Sequence, residues 1–495
     1  MKKSEKLIRN SAINLAGFVV PLLFGLVAIP IIIKKLGVER FGILSLIWVV
    51  FSYFGVFDFG IARATTKYIS EADALGDKKK ITELFWTSSV LQLLISIIGA
   101  FAGYFFTPTI IRLLKIPSHL FSETVLTFQV LFIMLPVVLI SSCLKSVLEA
   151  FQRFDLVNYI KIPANTLFFL IPAVVVQFNI GLFGITILLG LVRFLSIFFY
   201  FLMCLKIMPE LKEKILFNVA VVKNMLAFGF WITISSVVGP IISYIERFFI
   251  VSMLSPTQLS YYSAPYEMVS RLTMLSVSIG ITLFPAFSFE NALNSDKLAE
   301  LFIRSLKYLL ILMTPIVIVL YLFAGDILKI WLGLTFAENG LIVFKVLTVT
   351  FFINGLAVIP FMAVQGLGRA DIKAKFDIVA SILFSIIVYF MIKFFGINGA
   401  AWSKLFVTFI DLVFLTGVSV FLIKFSPEII GRFKILPVII FSIFLAFTLP
   451  FLEMIKNEIF LIAAVVFMLI AYIFLVIKKG TSEDDKKIFN GVLRR

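Results

Sequence analysis

The chain has 495 residues, of which 61% are hydrophobic and 15% charged, and 58 are phenylalanine. A soluble domain carries about 45–50% apolar and about 25% charged residues, so a soluble core cannot absorb this excess and the bilayer must be the solvent. The net charge of +16 would point to nucleic acid in a soluble chain, but here the Lys and Arg stand between apolar blocks, a topology pattern that excludes a nucleic-acid partner.

In chain order, basic Met1–Asn10 precedes an apolar run at 11–33. That run exceeds a signal-peptide core and no A-x-A-like site follows it, so it is expected to be a retained first helix. Thirteen further runs of spanning length follow at 42–62, 84–106, 121–143, 160–178, 181–205, 225–250, 261–286, 306–325, 340–363, 374–395, 397–423, 433–451 and 459–477. The expected fold class is therefore an all-α polytopic membrane protein with about 14 transmembrane helices. Of the basic residues between spans, 31 fall on the side of the N-terminus and 8 on the other, so both termini are expected to be cytoplasmic.

Every connecting segment is short. A membrane glycosyltransferase or polymerase would need a substantial outer loop with clustered Arg, His or acidic residues, and none is present, so no enzymatic activity is expected. The single histidine, His119, sits in a short loop, and the two cysteines, Cys143 and Cys204, lie near the cytoplasmic ends of spans. Neither a metal site nor a disulfide framework is expected from them.

The two halves match each other at a nearly constant offset. Arg153-x-Asp155 falls on Arg369-x-Asp371, Gly181-x-x-Gly184 on Gly396-x-x-Gly399, and Lys206, Pro209 and Glu210 on Lys424, Pro427 and Glu428. Six spans, an even number, separate each pair, so the repeats share one orientation. The sequence predicts an N-lobe at 1–223, a C-lobe at 224–430, two further spans at 431–480 and a cytoplasmic tail at 481–495. Parallel six-helix repeats of this kind occur in secondary transporters, with the substrate between the halves.

Charges at depth are costly and mark partners or water-filled cavities. The cations Arg63, Arg193, Arg247, Arg271, Lys345 and Lys404 face only four acids, Asp58, Glu246, Glu267 and Asp411. Arg193, Arg247, Arg271, Lys404 and Arg63 are read as substrate-binding groups of a cationic cavity, Arg193 first, because no acid lies within a turn of it. Lys345, like Arg63, stands at an interface, where snorkelling also explains it. Glu267 and Arg271 are four apart and share a helix face. Ser236, Ser243 and Arg247 form a polar stripe on the seventh span. The four acids are expected to neutralise charge or to couple an ion.

Several stretches carry a family resemblance: Lys6-Leu-Ile-Arg-Asn10, Lys35-Leu-Gly-Val-Glu-Arg-Phe-Gly-Ile43, Asp58-Phe-Gly-Ile-Ala-Arg63, Gln152-Arg-Phe154, and the stretch from Glu246-Arg-Phe-Phe-Ile250 to Phe284-Pro-Ala-Phe-Ser288. Together they resemble the multidrug/oligosaccharidyl-lipid/polysaccharide (MOP) exporter superfamily, and within it the O-antigen and capsule flippases. Glu246 departs from the pattern, which places Asp before the Arg, but keeps the charge. The resemblance implies a MATE-like fold in a bacterial cytoplasmic membrane. It also implies movement of an undecaprenyl-pyrophosphate-linked oligosaccharide from the inner to the outer leaflet, alongside a polysaccharide polymerase and chain-length machinery. No cofactor is implied beyond a coupling H+ or Na+. A cation-coupled multidrug antiporter and a peptidoglycan lipid II flippase of the same fold stay open.

Overall fold

The computed structural model describes residues 21, 23–151, 153–212, 216–223, 225–226, 244–292, 297–423, 438–439, 442, 452, 458–476 and 478. The first half of the first span, most of the seventh and thirteenth spans, Ser236, Ser243 and the tail lie outside them. The described residues are helical, with no strand among them. Seven of their helices are long and apolar enough to cross a membrane: Lys78–Leu113, Ser118–Ala150, Phe154–Phe178, Leu182–Ile207, Leu298–Leu322, Leu334–Gly366 and Asp371–Ile423. The last contains two of the sequence's runs, which meet at Gly396 with φ 58° and ψ −142°.

The chain separates into two compact units, Met1–Ser263 and Ala264–Arg495. In the first, α1 (23–36) and α2 (Val38–Tyr53) lead to α3 (Ile61–Ala74) and the long α4 (Lys78–Leu113). Then come α5 (Ser118–Ile133), α6 (Leu135–Ala150), α7 (Phe154–Val175), α8 (Leu182–Ile207) and α9 (244–253). The helix α10 (Pro256–Val269) runs across the division. The second unit holds α11 (Thr273–Ala292), α12 (Lys297–Leu322), α13 (Ala324–Leu332), α14 (Leu334–Gly366), α15 (Ala370–Ile423) and α16 (Glu458–Leu475). There α14 is the hub, packed against α11, α12, α13 and α15.

Helix α4 shows how these elements are built for lipid. Ser88, Gln92 and Ser96, spaced by four, are all fully buried, while Leu94, Ile98, Phe101 and Phe105 on other faces are more than half exposed. The polar stripe turns inward to partners and the apolar surface turns outward, as a helix in hydrocarbon requires. The core beneath it joins Ile69, Leu84, Leu148, Tyr200 and Cys204 from four helices.

Three spans expected as continuous helices are interrupted. The second span becomes α2, a tighter turn at Phe54–Asp58, and then a break where Phe59 and Gly60 take φ of 49° and 70°. Two successive left-handed residues cannot continue a right-handed helix. Across the break both carboxylate oxygens of Asp58 accept the amide N–H of Ala62 at 3.2 Å, covering an otherwise open donor of α3. The fourth span breaks at Met134, two residues ahead of Pro136, which lacks the N–H to continue the ladder. The eighth breaks at a 3-10 turn, Ser270–Leu272, between α10 and α11.

The internal repeat is visible in bonds. Arg153 grips Asp155 at 2.9 Å and Arg369 grips Asp371 at 3.1 Å, each just before a helix. Around them the backbone repeats as well. The N–H of Arg153 reaches Leu148 O and that of Leu156 reaches Arg153 O, as Arg369 reaches Val364 O and Ile372 reaches Arg369 O.

Candidate functional site

Three helices of the first unit, α6, α7 and α8, enclose a pocket of about 210 Å³. Each contributes side chains three or four residues apart, which is one face of a helix. Helix α6 supplies Ser141, Ser142 and Lys145, α7 supplies Lys161 and Asn165, and α8 supplies Arg193, Ser196 and Tyr200. Three cations and five neutral polar groups therefore converge, and no acid is among the lining residues. Lys145 has Glu149 at 3.4 Å one turn further on. Among the described residues Arg193 makes no ion pair, and its guanidinium lies 5.6 Å from the Phe168 ring centre. The planar guanidinium fork can bind phosphate oxygens bidentately, while lysines act as point charges around it. Chemically, three cations beside hydroxyl and amide groups have the donors to hold a multivalent oxyanion.

The other predicted site residues fall into separate groups. Glu246 and Arg247 lie in the first unit, 0% and 1% exposed. Glu246 accepts from Tyr262 Oη at 3.2 Å, and the Arg247 guanidinium stands 5.5 Å from the Tyr244 ring centre. Arg63 is exposed on α3. In the second unit Arg271 reaches Glu267 at 3.2 Å, the pair that the four-residue spacing predicts. Lys404 stands over the rings of Tyr266, at 5.2 Å, and Phe384, at 5.9 Å. Asp411 meets Lys373 at 2.8 Å, and Lys373 also binds Asp377. Asp58 is 9% exposed and receives the side-chain amide of Gln92. Among the described residues no group of His, Cys, Asp and Glu could hold a metal ion. Both cysteines are buried thiols.

Residues 7–289, more than half of the chain, match the polysaccharide biosynthesis protein family. The chain belongs to that family. Its relatives include the "Putative O-antigen transporter" of Shigella flexneri, 29% identical over 80% of this chain and 94% of that protein. An uncharacterized membrane protein of Methanocaldococcus jannaschii is 25% identical over 74% of this chain and 73% of its own. Among solved structures, an inward-facing multidrug resistance MATE family transporter of the MOP superfamily matches at TM-score 0.69. It has 14% identity and covers 83% of this chain and 98% of its own. A MOP superfamily transporter from Pyrococcus furiosus matches at TM-score 0.59 with 14% identity, over 84% and 95%. This chain thus has the MATE-like fold that the resemblance implies, and it is a multi-pass membrane protein.

Sequence reasoning singled out Arg193 but not its neighbours. Lys145 and Lys161 read as positive-inside charges because they stand at the cytoplasmic ends of the apolar runs, just past 143 and just inside 160. The helices continue through both positions, so those charges face the pocket. The available signal was spacing: Ser141, Ser142 and Lys145, like Lys161 and Asn165, repeat at helical intervals. Gln92 and Lys373 carried no comparable signal.

Proposed function

We propose that this protein is a flippase that carries an undecaprenyl-pyrophosphate-linked oligosaccharide from the cytoplasmic to the outer leaflet of a bacterial cytoplasmic membrane, for O-antigen, capsule or exopolysaccharide assembly. The observation that carries this reading is the pocket of Lys145, Lys161 and Arg193, which gathers three cations with no lining acid. A pyrophosphate brings negative charge and oxygens suited to that set, and the hydroxyls of Ser141, Ser142, Ser196 and Tyr200 suit the adjoining sugar. The polyprenyl chain stays in lipid, so only the head group needs a polar route. Alternating access, with N- and C-termini in the cytoplasm, is the route that the internal sequence repeat suggests. No chemical bond is made or broken. Membership of the polysaccharide biosynthesis family and the likeness to a Shigella protein named for O-antigen transport support the same substrate class.

Purified protein in vesicles, supplied with a lipid-linked oligosaccharide and scored by leaflet accessibility, tests the reading. Transport of the lipid-linked glycan is expected, with Arg193→Ala slowing it tenfold or more and Arg193→Lys in between. Full transport by Arg193→Ala at normal protein levels sinks the role of the pocket. Transport of lipid II alone, or of cationic drugs alone, replaces the substrate.

A further inference from the structure

The break in the second span leaves one acid in an unusual position. Asp58 is 9% exposed, and among the described residues it forms no ion pair. Its carboxylate accepts from Ala62 N–H at 3.2 Å and from the Gln92 amide, whose nitrogen also reaches Asp58 O at 3.4 Å. Gln92 is fully buried, and its other polar atom, Oε1, is an acceptor with no hydrogen-bond partner.

These two irregularities answer each other. A carboxylate only accepts, so beside an ionised Asp58 the acceptor Oε1 of Gln92 has nothing to receive. A carboxylic acid presents a donor and an acceptor side by side, as does a primary amide, and the two join through a pair of hydrogen bonds. One proton added to the carboxylate removes a buried unpaired charge and satisfies a buried unpaired acceptor at once.

The surroundings fit a group that titrates. The charged and titratable groups that act electrostatically on Asp58 are Arg63 on α3 and Lys145 and Cys143 on α6. Helix α4 offers Gln92 together with Ser88 and Ser89, which contact the Cys143 thiol at 3.4 and 3.8 Å. Helix α2 carries its only charged residues, Glu39 and Arg40, at its opposite end. Irregular backbone at membrane depth is tolerated where it lines protein or water, and a broken helix is where transporters bind ions.

We propose that Asp58 and Gln92 form a proton-binding site inside the first unit, with Asp58 holding the proton and Gln92 Oε1 accepting its hydrogen bond. The step is protonation alone: the carboxylate and one proton from water give the acid. Resting on the flippase reading, a consequence follows at the pocket, because Lys145 of α6 lines it and also acts electrostatically on Asp58. Loss of the proton puts a negative charge behind Lys145, so the pocket holds a pyrophosphate less well at higher pH.

Infrared difference spectroscopy of the full-length protein in nanodiscs, between neutral and alkaline buffer, tests the site without substrate. Exposed carboxyls are already ionised at neutral pH. The expected spectrum has a protonated-carboxyl band at neutral pH that fades in alkali, is absent from Asp58→Asn and is kept by Asp411→Asn. A band unchanged in Asp58→Asn, or no such band in the unmodified protein, overturns the proposal. Should Asp58→Asn not fold, Gln92→Leu decides: a moved band frequency and midpoint are expected, and unmoved values overturn the site. Calorimetric titration with inorganic pyrophosphate separates the two claims. Binding that weakens with pH only while Asp58 is present supports the linkage. No binding at any pH removes the pocket reading, and the proton site then stands or falls on the infrared band alone.

Discussion

Glu210 shows how one side chain can anchor a connecting segment. Lys78 at the start of α4 holds its carboxylate, donating a hydrogen bond that pulls the Glu210 carboxyl below the usual range. Nearby, Trp86 Nε1 donates to Leu211 O at 3.3 Å and Thr87 Oγ1 accepts from Asn218 N at 3.2 Å, so the segment after α8 is tied to the foot of α4. A carboxyl whose folded value is depressed gives stability that is fully present above its unfolded value, about 4.3, and is lost as pH falls through the folded value. Hydrogen-exchange protection around Asn218, corrected for intrinsic pH dependence, is therefore expected to drop in acid. Glu210→Gln lowers the neutral-pH protection and flattens this profile. An unaltered profile in that variant assigns the acid loss instead to Glu83, whose carboxylate accepts from the Asn218 side-chain amide. At this scale the sequence marked single residues better than their company. Arg193 stood out because it interrupts an apolar run, whereas Lys145 and Lys161 were indistinguishable from loop charges until the helices were seen to continue past the apolar ends. The partnership of Asp58 with Gln92 joins residues 34 apart, and no periodicity links them.

The spans themselves were legible as elements, since an apolar run of about 20 residues has few alternatives to a crossing helix. Their interruptions were less so. Pro136 announces the break at Met134 through its missing N–H, but Phe59–Gly60 and Gly396 do so only through glycine, which helices in membranes carry for packing too. The R-x-D turn was legible because Arg153–Asp155 and Arg369–Asp371 make the same short-range pair twice. Two glycines of α15 separate the roles that glycine can play. Gly396, with φ 58° and ψ −142°, occupies a region nearly closed to other residues. Gly417 is helical, and a β-carbon added there meets nothing within 4 Å. Gly396→Ala is expected to cost about 1–3 kcal/mol, while Gly417→Ala is neutral or gains up to roughly 1 kcal/mol. Thermal unfolding midpoints of the two variants in detergent check this. Equal midpoints refute the strained role assigned to Gly396.

For the whole molecule, the sign of the charge at depth matters more than any one contact. The six cations and four acids that the sequence reading places at depth favour an anionic cargo, and an anion moving outward travels with an inside-negative potential. That potential is worth about 2.3 kcal/mol per elementary charge per 100 mV, which corresponds to roughly fiftyfold in equilibrium distribution at about 1.4 kcal/mol per tenfold. If the head group crosses uncompensated, clamping vesicles at increasing inside-negative potential with potassium gradients shifts a lipid-linked glycan towards the outer leaflet by that factor per charge. The response should persist when the pH gradient is collapsed, because the field acts on the cargo itself. A distribution indifferent to voltage means that the cations holding the pyrophosphate cross the field with it, so no net charge moves. Lys145, Lys161 and Arg193 are then the charges to remove, and Arg193→Ala should restore a voltage dependence to whatever transport it retains. A distribution that follows pH and ignores voltage instead makes the proton, and with it Asp58, the carrier of the driving force.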